Sequence, residues 1–183
     1  MQYTSPLYPY TQDVPETERR FELVSERVAP ARIALSRGVR HPGAVLTGGY
    51  VSFTPREAET WLVVDFGREV VGTIDFVAQA FGNCRLRVYY GENLEEALRD
   101  ESFTCGWYTL PVDQFELAEG TLPLRNPGRR GFRFVRFVVA GGEVRIGELS
   151  ATLVHYPVKE RGYFSCSDPL LNRIWDLSTY TTK

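Results

Sequence analysis

The pattern that most constrains the fold is an alternation of apolar and more polar residues over residues 84–90. The apolar members are Cys84, Leu86, Val88 and Tyr90. Side chains of a strand point alternately to its two faces, so this period predicts a β-strand with one buried and one wet face. Residues 70–80 repeat the pattern, and Gly82-Asn83 between the two runs predicts a tight turn.

Eight other short segments rich in β-branched and aromatic residues flank these two runs. They are residues 21–24, 31–35, 49–53, 61–67, 114–117, 132–139, 144–146 and 149–156. Gly and Pro separate many of the segments, and no long helical pattern lies between them. Such sequences form antiparallel sandwiches and not βαβ folds, so we predict an all-β sandwich domain over residues 21–156.

Three other regions lack this pattern. Residues 1–20 are polar and contain prolines, and we predict an N-terminal extension there; residues 157–167 are predicted to be a linker. Residues 91–109 carry many carboxylates without a clear period, which predicts a surface loop, with a short helical turn at 94–98 as the alternative.

The chain ends in a different pattern, which predicts a single helix over residues 168–183. Asp168 is a typical N-cap residue and Pro169 suits the first helical position. The apolar side chains that follow at helical spacing include Leu170, Leu171, Ile174 and Trp175. No Gly or Asn stop signal follows, so we interpret the helix as cut short. An apolar face of this kind needs a partner, which predicts packing against the preceding β-sandwich, contact with another domain, or self-association between copies.

Composition excludes several functions. The net charge is −2 with charges interspersed, which gives no support to nucleic-acid or anionic-membrane binding. We find no run long enough to span a membrane and no secretory signal pattern. The three cysteines, Cys84, Cys105 and Cys166, form no CxxC pair, which argues against disulfides and structural zinc. A cytoplasmic location is the simplest interpretation.

Five segments, in this order, resemble bacterial α-L-rhamnosidases of glycoside hydrolase family 78. They are DFGREVVG (65–72), YGENL (90–94), GFRFVRF (131–137), VHYP (154–157) and FSCSDPLLNRIW (164–175). The resemblance implies a jelly-roll-type sandwich followed by the first helix of an (α/α)6 catalytic barrel. It implies that the parent enzyme releases terminal α-L-rhamnose with inversion and that the barrel supplies the catalytic acids. We therefore assign no catalytic residue and expect this chain alone to be inactive.

The acidic loop is the remaining candidate site. Trp107 and Tyr108 offer flat faces to a sugar ring, and Glu92, Asn93 and Asp100 offer oxygen atoms to a sugar or to calcium. The resemblance adds that related jelly-roll domains include calcium-dependent rhamnose binders. The alternative is that the acids face water and Trp107 packs over a sheet edge. We expect no other cofactor or metal. The runner-up function is a free carbohydrate-binding module, which has no use for the uncapped helix.

Overall fold

The computed structural model describes residues 23–55, 60–99, 104–105, 108–109, 111–158 and 161–182; for residues 104, 105, 108 and 109 it describes the backbone only. The chain divides into two compact units. One unit comprises residues 25–154. The described part of the other comprises residues 23–24, 155–158 and 161–182. No helix of the described residues is long and apolar enough to cross a membrane.

The described chain is mostly β-structure. Its strands are β1 (Val24–Val28), β2 (Arg32–Arg37), β3 (Val39–Arg40), β4 (Val51–Phe53), β5 (Thr60–Gly91), β6 (Thr104–Cys105), β7 (Tyr108–Thr109), β8 (Val112–Leu117), β9 (Gly120–Arg125) and β10 (Arg130–His155). Its helices are α1 (Leu94–Leu98), α2 (Pro169–Thr181) and one 3-10 helix (Pro42–Thr47). This confirms the predicted all-β sandwich followed by one C-terminal helix.

The sheet is organised by β5 and β10, which pair along most of their length. Residues 134–141 of β10 lie opposite residues 91–84 of β5, and residues 143–153 lie opposite residues 81–72. Residue number rises on one strand as it falls on the other, so the register is antiparallel. Each strand runs through both halves of the sandwich.

The first half of the sheet contains β2, residues 60–65, residues 134–141, residues 84–91 and β8. The second half contains β9, residues 72–81 and residues 143–153, with β4 and β3 beyond them. β1 also pairs with β10.

The strands pass between the halves at a corner made by glycines. Gly82 of β5 has φ 105°, and Gly141 of β10 has φ 91°. Gly120, the first residue of β9, has φ 140°. These backbone conformations are disfavoured for residues with a Cβ. The prediction that Gly82-Asn83 closes a tight turn is therefore wrong: β5 bends there and continues, because β10 accompanies it on both sides of the bend.

The core lies between the inner faces of the two halves. Phe76 of the second half meets Phe137 of the first edge-on, with ring centroids 5.3 Å apart. Other fully buried side chains include Phe53, Leu62, Ile74, Leu86, Phe132 and Ile146. Cys84 is a buried free thiol.

Helix α1 packs against the first half of the sheet, so the helical alternative for residues 94–98 is correct. Ala97 is buried, and Leu94 and Leu98 pack with it against Val63 and Phe134. Arg136 donates to the carbonyl oxygen of Leu98 at 3.0 Å, which holds the end of the helix. Tertiary contacts of this kind stabilise a helix that is too short to form alone.

Gly72 lies where the backbones of β5 and β10 approach closely. A Cβ at position 72 would lie 1.8 Å from the carbonyl oxygen of Thr152. We expect Gly72→Ala to lower the free energy of unfolding by about 2–3 kcal/mol, because the backbone of β10 must move. Urea unfolding measures this, with Gly43→Ala as the control, since a Cβ at position 43 meets nothing within 4 Å. Equal stability of the two variants would contradict this packing.

The second unit is built around α2. Asp168 caps the helix by accepting a hydrogen bond from the Leu170 N–H at 2.8 Å, and Pro169 occupies the first turn, as predicted. Asn172 folds the preceding segment back: its amide donates to the Cys166 carbonyl oxygen and accepts from the Cys166 N–H, each at 2.9 Å. The sequence SDPLLN therefore fixes both the start of the helix and the path into it.

Candidate functional site

The structure places two of the five predicted sugar-binding residues, Glu92 and Asn93, at the start of α1. Asn93 is the N-cap: its side-chain oxygen accepts from the Glu96 N–H at 2.9 Å, and its amide donates to Glu96 Oε1 at 2.9 Å. The Glu96 carboxylate also accepts from the Glu92 N–H at 2.9 Å. This reciprocal capping uses the polar atoms of Asn93 to begin a helix.

The Glu92 carboxyl is exposed beside other acids. Repulsion from Glu69, followed by partial desolvation and repulsion from Glu96, raises its pKa above the ordinary value. Asp100 and Trp107 lie outside the described residues, and so does the side chain of Tyr108, whose backbone forms part of β7. Binding of a sugar by these five residues together stays a prediction. Among the described residues, no group of three or more His, Cys, Asp or Glu side chains could hold a metal ion.

The segment DFGREVVG is a structural element. The Asp65 side chain is fully buried and accepts hydrogen bonds from Arg133, Arg32 and the Gly67 N–H, at 2.7–3.1 Å. Burial raises the pKa of Asp65, but these hydrogen bonds outweigh burial and hold the pKa below its ordinary value. The carboxylate therefore joins β2, β5 and β10 and is saturated with donors.

The segments YGENL and GFRFVRF, which also carry the resemblance, are structural as well. Tyr90 donates to Asp113 Oδ2 at 2.8 Å, and Arg130 donates to the other oxygen of Asp113 at 2.8 Å. Burial, together with the Asp113 charge, raises the pKa of Tyr90, so the phenol remains protonated. In GFRFVRF, Arg133 binds Asp65, and Arg136 lies over the Tyr89 ring at 4.1 Å. We find no reactive arrangement in either segment.

An open groove lies on the outer face of the second half of the sheet, with a volume of about 640 Å³. We call it the outer-face groove. Its charged and hydroxyl-bearing walls include Glu26, Arg27, Asp75, Arg125, Glu148 and Thr152. A second pocket of about 350 Å³, the Tyr50 pocket, is lined by residues that include Arg40, His41, Tyr50, Ser52, Glu143 and Arg145.

Sequence reasoning did not identify these groove residues. The alternation at residues 74–78 places Asp75 on the wet face of its strand, which is the one available signal. Tyr50 and Glu148 are 98 positions apart and belong to no motif, so only the fold brings them together.

The four residues predicted to contact another domain lie on α2, and no residue of this helix is buried. Leu170 is 62% exposed, Leu171 47% and Ile174 51%. Trp175 is half-buried against Phe164, with ring centroids 5.8 Å apart. Leu177, 67% exposed, extends the same surface by one turn. We call these side chains of Leu170, Leu171, Ile174 and Leu177 the α2 apolar face.

No protein-family model matches the chain, and no curated protein matches it in sequence. Among solved structures, the GH78 family rhamnosidase of Bacillus sp. GL1 is similar, with 31% identity and a TM-score of 0.63; the match covers 76% of this chain and 15% of that enzyme. A rhamnosidase from Klebsiella oxytoca with rhamnose bound has 19% identity and a TM-score of 0.68; the match covers 90% of this chain and 36% of that chain. The chain is thus similar to a part of a GH78 rhamnosidase and spans well under half of either enzyme.

Proposed function

We propose that this chain is the non-catalytic, jelly-roll-type β-sandwich region of an α-L-rhamnosidase-like glycoside hydrolase. The observation that carries the proposal is the match to the Bacillus enzyme, which includes most of this chain but only 15% of the rhamnosidase. On this proposal the parent enzyme hydrolyses terminal α-L-rhamnosides with inversion, and the chemistry belongs to a separate catalytic domain.

The proposal has a second part, which is that α2 docks on that catalytic domain. The α2 apolar face supports it. Its side chains are 47–67% exposed, although burying each would contribute roughly 1.5–3 kcal/mol. Neighbouring large apolar side chains on one surface mark a contact site. An (α/α)6 barrel buries helices against helices, so α2 would pack there as the first helix of the barrel.

The carboxylates of the sandwich support a non-catalytic role. An inverting glycosidase needs an acid and a base roughly 6.5–9.5 Å apart, with room for a water between them. Asp65, Asp75 and Asp113 are each bound by an arginine. For Asp65, the hydrogen bonds from Arg133, Arg32 and the Gly67 N–H hold the pKa below its ordinary value, so this carboxylate has no proton to deliver as a general acid.

The outer-face groove favours the second candidate, a free carbohydrate-binding module. Its volume of about 640 Å³ lies in the range of small-molecule sites. On this alternative the groove is the functional site and α2 has no catalytic partner.

The cytoplasm is the proposed location for the protein. Cys84 and Cys166 are free thiols, which a reducing compartment maintains.

The proposal is tested by reading the gene beyond Lys183 and expressing what it encodes as a separate polypeptide. We expect a barrel sequence in frame and a stable complex when that polypeptide is titrated with the 183-residue chain in a calorimeter. A reading frame with no such domain, or a folded catalytic domain that does not bind this chain, would contradict the proposal and favour the carbohydrate-binding module.

A further inference from the structure

The outer-face groove and the Tyr50 pocket adjoin each other. Tyr50 lines the pocket, Glu148 lines the groove, and the Tyr50 hydroxyl donates to Glu148 Oε1 at 3.2 Å. Both cavities lie on the outer face of the second half of the sheet. Residues 145–152 of β10 connect them, a length of roughly 20 Å at the usual rise per residue. The face is therefore long enough to hold more than one sugar ring.

The Tyr50 ring rests directly on the backbone of β10. A Cβ at position 147 would lie 2.7–2.9 Å from three atoms of the ring, so only glycine fits beneath it. The ring is half-buried, and its remaining surface forms part of the pocket wall. An aromatic side chain held in one position loses little freedom when a ligand packs on it, which favours binding.

A β-bulge turns Glu148 toward the groove. Gly147 pairs with Val77 and Ser150 with Asp75, so residues 148 and 149 together face Phe76 alone. Glu148 takes up the extra length with φ 51°, a conformation few residues other than glycine adopt. As a result Leu149 is buried while the Glu148 side chain is exposed. Bulges re-aim side chains in this way at functional sites.

Charges of both signs line the groove. Asp75 accepts hydrogen bonds from Arg125 Nε and, at 2.9 Å, from Thr152 Oγ1. Glu26 and Glu148 add acceptors, and Arg27 adds donors. A polyanion or a polycation would meet repulsion from one set of charges. A neutral ligand with many hydroxyl groups meets none, because each hydroxyl both donates to carboxylates and accepts from guanidinium groups.

We propose that this face binds a neutral oligosaccharide, with one sugar ring packed on Tyr50 and the next hydrogen-bonded by Asp75, Arg125 and Glu148. The inference rests on the proposed relation of the chain to carbohydrate-active enzymes. It names a site distinct from the Glu92–Tyr108 loop.

The test is an NMR titration of the isotope-labelled 183-residue chain with L-rhamnose and with rutinose, a disaccharide that ends in rhamnose. We expect amide shifts at Tyr50, Asp75 and residues 147–150, millimolar dissociation constants, and binding of the disaccharide about threefold or more tighter. Tyr50→Ala should weaken binding about tenfold, whereas Tyr50→Phe, which keeps the ring, should stay within about threefold.

Two further variants keep the test decisive. Arg125→Gln, which removes a donor without touching Tyr50, should also weaken binding, so the result does not depend on Tyr50→Ala folding. Arg85→Gln, which removes an exposed pair with Glu116 on the other half of the sheet, should bind like the wild type.

Three results would overturn the inference: no shifts at about 50 mM of either sugar, shifts confined to Glu92 and Asn93, or unchanged binding by both Tyr50→Ala and Arg125→Gln. If this face does not bind sugar but the chain still binds the catalytic domain, the proposed function remains intact. If the chain binds sugar but does not bind the catalytic domain, the result would instead support a free carbohydrate-binding module.

Discussion

Replacing Leu170 and Ile174 together by glutamate is expected to weaken the binding of this chain to the proposed catalytic domain by about a hundredfold or more. Each side chain, once buried, contributes roughly 1.5–3 kcal/mol, so losing two removes about 3–6 kcal/mol of binding free energy, and every 1.4 kcal/mol is tenfold in affinity. Both side chains are more than half exposed in this chain, so neither substitution disturbs a buried contact within it.

Calorimetry with the separately expressed domain measures the effect, and Arg173→Gln on the same helix is the matched control. Arg173 is exposed, and we expect its substitution to change the affinity by less than about twofold. Glutamate is a good helix former, so circular dichroism should show unchanged helix content in both variants. If the double variant binds like the wild type, the α2 apolar face is not the docking surface.

Asp65→Asn is expected to lower the free energy of unfolding by about 3–4 kcal/mol. Removing one partner from a buried ion pair costs roughly 3–5 kcal/mol. Here the lower part of that range applies, because the Arg32 and Arg133 side chains are 63% and 39% exposed and can be rehydrated. Asparagine keeps the size of the side chain but turns an amide group toward two guanidinium donors.

Urea unfolding at neutral pH measures this loss, and Glu116→Gln is the control. Glu116 pairs with Arg85 on the surface, where both side chains are more than half exposed, so we expect a change below about 0.5 kcal/mol. A loss for Asp65→Asn no larger than that of the control would show that the buried cluster does not hold the strands together.

The wild-type chain and the Asp65→Asn variant should also differ in how their stability responds to acid. The pKa of Asp65 is lower in the folded chain than its ordinary value of 3.8, so its contribution to stability is present above that pH. It is lost as the pH falls through that value toward the lower folded pKa. Asparagine does not titrate. The difference in unfolding free energy between wild type and variant should therefore shrink below about pH 4, and a constant difference would contradict the assignment.

The sequence predicts the fold class well because alternation reports burial directly. It misses β9, because Pro123 breaks the usual strand pattern. Pro123 is compatible with a strand here because β9 pairs with β5 and no described strand pairs with its other edge. The tight turn predicted at Gly82-Asn83 is also wrong. In the sequence, a Gly-Asn pair looks the same whether the chain reverses direction or only bends. Here the strand bends, because β10 pairs with β5 on both sides of these residues.

The candidate sites were harder to predict, for a physical reason. The most recognisable motifs, around Asp65, Tyr90 and Arg133, have specific residues because a buried polar group needs a hydrogen-bond partner, which the fold supplies at these positions. They report the fold and not the ligand. Tyr50 and Glu148 meet only after β4 and β10 pair, so no local pattern marks them. The α2 apolar face was predictable, because three-and-four spacing places its residues together on any helix.

We propose above that the sandwich is not catalytic and that a separate domain carries out the hydrolysis. Hydrolysis of p-nitrophenyl α-L-rhamnoside tests it most directly, measured for this chain alone, for the polypeptide encoded after Lys183, and for the two joined. We predict no turnover by this chain and full turnover by the joined protein. Steady turnover by the purified chain, abolished by Glu92→Gln, Glu95→Gln and Asp100→Asn together, would contradict the claim and make the sandwich itself the enzyme.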